Sequence, residues 1–177
     1  MSLWDYIGKT GKQAEAAGAS TPADADSIRR IISSLEQLEP ARARHIAAFA
    51  FVLARVARAD MVISKEETAA MERIIMDQAG LPEEQAVLVV EIARHQNLLL
   101  GGTENFLVTR ELKATATPEE KDALLRCLFA VSAADESIST AEEGIVAQIA
   151  SELGIDRQDM LRVRSEYRQW RAVHRPR

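Results

Sequence analysis

Apolar residues recur at intervals of three and four along most of the chain, the period of helices that are buried on one side. Ile28, Ile31, Ile32, Leu35 and Leu38 give a first core helix from Ser27 until Pro40 interrupts it. The run HIAAFAFVLARVARA, within residues 41–59, is apolar around most of its circumference, so this helix is expected at the centre. Residues 64–79, with Met71, Ile74 and Ile75 inward, and residues 82–93, with Val87, Val89, Val90 and Ile92 inward, are expected as helices on either side of a stop at Gly80. Beyond Gly101-Gly102 the pattern predicts helices over 103–114, from Thr117 to about Ala134, over 139–153, and from Asp156 to about Trp170. Thr117-Pro118-Glu119-Glu120 has the form of an N-cap followed by proline at the first helical position. No segment alternates as a strand would. The expected fold is all-α, a compact bundle of about eight helices over residues 27–177. Residues 1–26 precede it as an amphipathic segment around Leu3, Trp4, Tyr6 and Ile7 and a flexible linker rich in Gly, Ala and Ser.

One stretch of the pattern is written twice. ARADMVISKEE and SAADESISTAE share Ala-Asp-x-x-Ile-Ser-x-x-Glu, each between two apolar helical runs. Leu53, Val56, Ala59, Asp60, Ile63, Ser64 and Glu67 correspond to Leu128, Val131, Ala134, Asp135, Ile138, Ser139 and Glu142, and one deletion then aligns Gly80 with Gly154. The two copies, about 41–94 and 118–170, each read as helix, tight loop, helix, glycine turn, helix. Two units are too few for a solenoid, so they are expected to pack face to face about a pseudo-twofold axis. Ser64 with Glu67, and Ser139 with Glu142, have the spacing of a capping box, each cap contributing about 1 kcal/mol. Ile63 and Ile138 sit just before these caps. The staple position holds Thr68 or Glu143, so the isoleucines are expected to plug the bundle instead.

Asp60 and Asp135 are less easily explained as structure. Each follows the last turn of a helix, where the carbonyl ends disfavour an anion by about 0.3–1 kcal/mol. Three compensations are open: an Asx-turn, pairing with an arginine such as Arg58, or a metal ion. A hard cation wants about six oxygens, more than one motif supplies, and neither copy has the alternating Asp/Asn and central Gly of an EF-hand loop. Pooled across the two loops, however, Asp60, Glu67, Asp135 and Glu142 would offer four carboxylates. Two of them about 5 Å apart repel by roughly 3 kcal/mol at an effective dielectric near 20, so such a cluster needs a cation, a proton or an arginine between its members. Calcium or magnesium is the cofactor this set would take, and turn-and-cap structure is the alternative.

The paired motifs, each followed by an apolar helix and a Gly-Leu or Leu-Gly turn, resemble the tellurite-resistance TerB family and its stand-alone TerB-like relatives over about residues 41–167. The resemblance implies an all-α fold, no catalytic activity, and association with bacterial stress-response and tellurite-resistance systems. It also implies the acidic loops as metal sites, at Asp60 and Asp135 with Glu67 and Glu142. The family writes Ala-Asp-Gly at this loop, whereas Met61 and Glu136 stand after the aspartates here. Glycine takes positive φ at little cost and these residues do not, so a reshaped loop is expected.

Composition narrows the function classes. The 177 residues suffice for one ordinary domain with a real core, and a net charge of -5 disfavours a dedicated nucleic-acid binder. The lone Cys127, within ALLRCLFAV, is expected in the core, excludes an internal disulfide and suits a reducing, cytoplasmic setting. His45, His95 and His174 have no spacing that gathers them on one face, and there is no phosphate loop or nucleophile elbow. Glu66-Glu67 and Glu142-Glu143 fit first-turn dipole complementarity better than acid/base catalysis. The basic C-terminal RVRSEYRQWRAVHRPR reads as a solvated helix with Trp170 packed inward, and SLWDYIG as a short docking segment for a protein partner or the chain's own bundle. The leading expectation is a non-enzymatic TerB-like interaction or scaffold domain, responsive to a divalent metal through the Asp loops. The alternatives are a divalent-cation-dependent hydrolase using the pooled carboxylates and an adaptor in weak contact with a membrane surface.

Overall fold

The computed structural model describes residues 22–57, 65–95, 105–134 and 136–170. Eight helices stand among them: α1 Pro22–Glu36, α2 Pro40–Ala57, α3 Lys65–Ala79, α4 Glu83–Arg94, α5 Asn105–Thr115, α6 Pro118–Ser132, α7 Thr140–Leu153 and α8 Arg157–Glu166, followed by a 3₁₀ turn at Arg168–Trp170. The all-α expectation holds. α2 is the centre, with ten buried residues from Ala43 to Val56, and α1, α4, α5, α6 and α7 all pack on it. α6 is the second hub, contacting α2, α3, α7 and α8. Leu124, Leu125, Cys127, Leu128 and Phe129 are buried along α6. Full burial of a large apolar side chain contributes roughly 1.5–3 kcal/mol, so the two hubs carry much of the hydrophobic stabilisation.

Helix boundaries follow local chemistry. α1 begins at Pro22, inside the stretch expected to be linker, with proline at the first helical position. Pro40 starts α2 as well as ending the preceding pattern. The carboxylate of Glu39 accepts the N–H groups of Ala41 (3.0 Å) and Arg42 (3.2 Å), satisfying donors that no turn of helix could reach. Thr117 is the expected N-cap before Pro118, and it also forms a capping box with Glu120. Gly80 (φ 61) and Gly154 (φ 70) stop α3 and α7 in the left-handed region, as expected. At the second stop the N–H of Ile155 reaches back to the carbonyl of Ala150 at 2.9 Å, closing the α7 C-terminus. Asp156 then caps α8 by accepting the N–H of Gln158 at 2.7 Å.

One inward assignment fails. Val87 is 38% exposed, while Ala86, Leu88, Val89, Val90, Ile92 and Ala93 are buried. Residues 86, 89, 90 and 93 form the i, i+3, i+4, i+7 stripe, and Val87 lies with Glu83 and Glu91 on the outer face. Cys127 is buried as expected, its thiol pushed up to about 12 by burial. The order helix, loop, helix, left-handed glycine, helix recurs in α2–α4 and α6–α8. It does not carry over to burial, because α4 buries six residues and α8 only Val163. The repeat is therefore one of element order, not a demonstrated symmetry.

Candidate functional site

Of the two acidic loops, the second is described on both sides of its aspartate. α6 ends at Ser132, and the N–H of its C-cap, Ala133, donates to the Phe129 carbonyl. The chain then reverses through Glu136, which donates its N–H to the Ala133 carbonyl (2.9 Å) and holds φ at 63°. A non-glycine residue in this region is strained by roughly 1–2 kcal/mol, because Cβ crowds the following carbonyl. The expected reshaping of this loop therefore does not occur at Glu136, which keeps a glycine-like backbone without being glycine. Ile138 is buried at 1% exposure and acts as the expected plug. Its N–H donates to the Trp170 carbonyl at 2.7 Å, tying the loop to the C-terminal turn.

Ser139 completes the turn. Its hydroxyl accepts the Glu142 N–H (3.2 Å) and its own N–H donates to Glu142 Oε2 (2.7 Å), so the expected capping box is formed. Glu142 thus serves the cap through one oxygen, and Oε1 takes no part in it. The neighbouring Glu143 accepts Arg164 Nη2 from α8 at 2.8 Å. Tyr167 stacks on Phe129 with centroids 5.6 Å apart, donates its hydroxyl to the Arg126 carbonyl (3.3 Å) and meets Trp170 at 5.7 Å. Trp170 is half-buried against the core, as expected from its place in the basic tail. The loop is thereby braced by α8 and the turn that follows it. This bracing was not anticipated from the motif, although Tyr167 and Trp170 within a basic run were the signal for it.

The four proposed carboxylates fare differently. Asp60 and Asp135, with Ser64 and Arg58, lie outside the described residues. Glu67 is exposed in the first turn of α3 and Glu142 half-buried in the first turn of α7. α3 packs on α4 and α6 and α7 chiefly on α2, α5 and α6, so the two glutamates start helices that share α6 as a neighbour and differ in the others. Among the described residues no group of three or more His, Cys, Asp or Glu could hold a metal ion. The donors named by the motif are carboxylate and hydroxyl oxygens, a set that suits calcium or magnesium and not a soft metal.

Charged groups outside the motif do converge. Arg126 of α6 binds Asp122 and Glu166, and Arg162 of α8 binds Asp122, so four side chains join α6 to α8. Burial works against the Asp122 charge, but the hydrogen bonds from Arg126 and Arg162 outweigh it and hold its carboxyl below the usual range. Arg55 of α2 grips Glu152 of α7 with bonds of 2.6 and 3.1 Å, which together hold that carboxyl low. These contacts set the charges of their members against one another. No helix among the described residues is long and apolar enough to cross a membrane.

No curated protein and no solved structure matches the chain. The family model of the tellurite resistance protein TerB matches residues 45–165, from α2 through α8 and thus both acidic loops, and the chain belongs to the TerB family.

Proposed function

We propose that the protein is a non-enzymatic, cytoplasmic interaction module of a bacterial tellurite-resistance or stress response, responsive to a divalent cation through its two Asp loops. Family membership carries this reading, because the match spans both loops and the helices that hold them. The strained backbone at Glu136 adds support. Left-handed non-glycine residues persist only where the surroundings over-determine them, and here the fixed position follows Asp135 directly. Asp60, Asp135, Glu67 and Glu142 would supply hard oxygen donors, with Glu142 contributing the oxygen that its cap leaves unused. When bound, the cation would offset the repulsion of gathered carboxylates and fix the loops relative to the helices they join.

Calorimetric titration of the full chain with calcium, magnesium and zinc tests the metal component. Saturable heat with calcium or magnesium, lost in Asp60→Asn/Asp135→Asn, is the expected result, and no saturable heat in the wild type refutes it. Survival of a bacterial host on tellurite, with the wild-type chain or the double variant, tests the physiological assignment. Equal survival with and without the chain would remove it.

A further inference from the structure

Between α1 and α4 runs an open groove of about 1000 Å³, at the upper end of the range for ligand pockets. Ile31, Leu38, Val87 and Leu88 are among its apolar lining, and Arg30, Arg94, Glu84 and Glu91 line it with charge. Val87 is one of two large hydrophobic residues that are exposed among the described ones. Arg94 is paired with Glu91, whereas Arg30 donates to the Ser27 hydroxyl, which leaves its charge uncompensated by that contact. α1 itself is thinly held, with Ile28, Ile31 and Leu35 as its buried apolar residues.

We infer that this groove is the docking surface for the chain's own segment Ser2–Gly8. The chemistry matches. Leu3, Trp4 and Ile7 supply apolar bulk for the lining around Val87, and Asp5 supplies a carboxylate for Arg30, which is paired with none among the described residues. The tether matches too. Residues 9–21 join the segment to Pro22, the first residue of the helix that forms one wall. Fully extended, such a linker spans roughly 45 Å, while α1 is only about 22 Å long, so every part of the groove is within reach. Tethering at this length gives an effective concentration on the order of millimolar, which a free partner would have to exceed or out-bind. Once docked, the segment would bridge α1 to α4 and cover the exposed valine.

The test uses the full chain with Trp170→Phe, so that Trp4 is the sole tryptophan and reports its own surroundings. Acrylamide quenching of Trp4 is compared with that of a synthetic peptide of residues 1–12. The expected result is several-fold weaker quenching in the protein, restored to the peptide's level by Val87→Glu and by Arg30→Glu but not by Leu161→Glu, a control on the other exposed hydrophobic residue. Val87 and Arg30 are surface positions, and far-UV circular dichroism checks that the helices persist. Quenching equal to the peptide's overturns the inference, as does shielding relieved by Leu161→Glu alone. Shielding that grows with protein concentration assigns the segment to a neighbouring copy and overturns it equally.

Discussion

α4 and α8 follow equivalent glycine turns yet are fixed by different physics. α4 buries six apolar residues against α2 and its neighbours. α8 buries only Val163 and is held by charges, with Arg162 on Asp122, Glu166 on Arg126, and Arg164 on Glu143. A shared turn sets where a helix begins, while the residues that follow decide whether hydrophobic burial or ion pairing holds it. Burial is insensitive to salt and ion pairing between exposed groups is not, so the two helices should separate experimentally.

The largest effect belongs to α4. Ile92 is 1% exposed, and Ile92→Ala should cost about 2–5 kcal/mol in urea denaturation, with the same loss at low and high salt. A loss that shrank with salt would undo the contrast. The glycine turns come next. A Cβ at Gly80 would meet nothing within 4 Å, whereas one at Gly154 would lie 2.9 Å from Lys113 Cε. Gly80→Ala should therefore cost only the backbone strain, about 1 kcal/mol, and Gly154→Ala somewhat more, because the Lys113 side chain must also move. The reverse change at Glu136, Glu136→Gly, relieves strain at φ 63° and should stabilise by about 1 kcal/mol. Destabilisation there would mean that the Glu136 side chain contributes more than its backbone costs.

Much of this architecture was legible in the sequence because it is local. The helical period, the Thr117 N-cap, the Ser139 capping box and the two glycine stops each depend on residues within four positions of one another, and each stands where the pattern put it. Val87 was misplaced because one apolar residue beside a buried stripe is indistinguishable by type from those within it. The joint between Ile138 and Trp170 is a backbone contact between distant parts of the chain, and side-chain patterns carry no information about it. The ion pairs of Arg126 and Arg162 were half visible, since Asp122 with Arg126 and Arg162 with Glu166 have helical i, i+4 spacing. Their convergence needed the packing of α8 on α6. The left-handed backbone at Glu136 was hidden because its residue type argues against it.

Smaller than the core and turn effects is the contribution of the α8 ion pairs. Glu143 and Arg164 retain 11% and 31% side-chain exposure, a half-buried pair whose removal by Arg164→Ala should cost at most about 1 kcal/mol. The loss should fall as sodium chloride is raised, unlike the salt-independent loss expected at Ile92, and an unchanged loss in high salt would place Arg164 among packing residues instead. Arg164 lines the groove between α7 and α8, so Arg164→Met, which keeps an unbranched apolar chain and removes the guanidinium, separates packing from charge.

The smallest effect lies at His45, near the start of α2, where opposing influences partly cancel. Burial lowers its pKa from 6.5, Glu120 pulls it upward and Arg42 lowers it again, with a net shift downward. Nε2 is 3.8 Å from Glu120 Oε1, too far for a hydrogen bond, so the carboxylate attracts the imidazolium without solvating it. The unfolded chain then takes up this proton more readily than the native one. Above pH 6.5 both states are neutral and His45 is without effect. As pH falls from 6.5 through the lowered native value, protonation favours unfolding and stability declines. His45→Gln removes the titrating group, so its denaturation midpoint should fall less than that of the wild type between pH 7 and pH 5. Parallel curves would mean that the Glu120 attraction fully offsets burial, and a steeper fall in the variant would mean that it exceeds it.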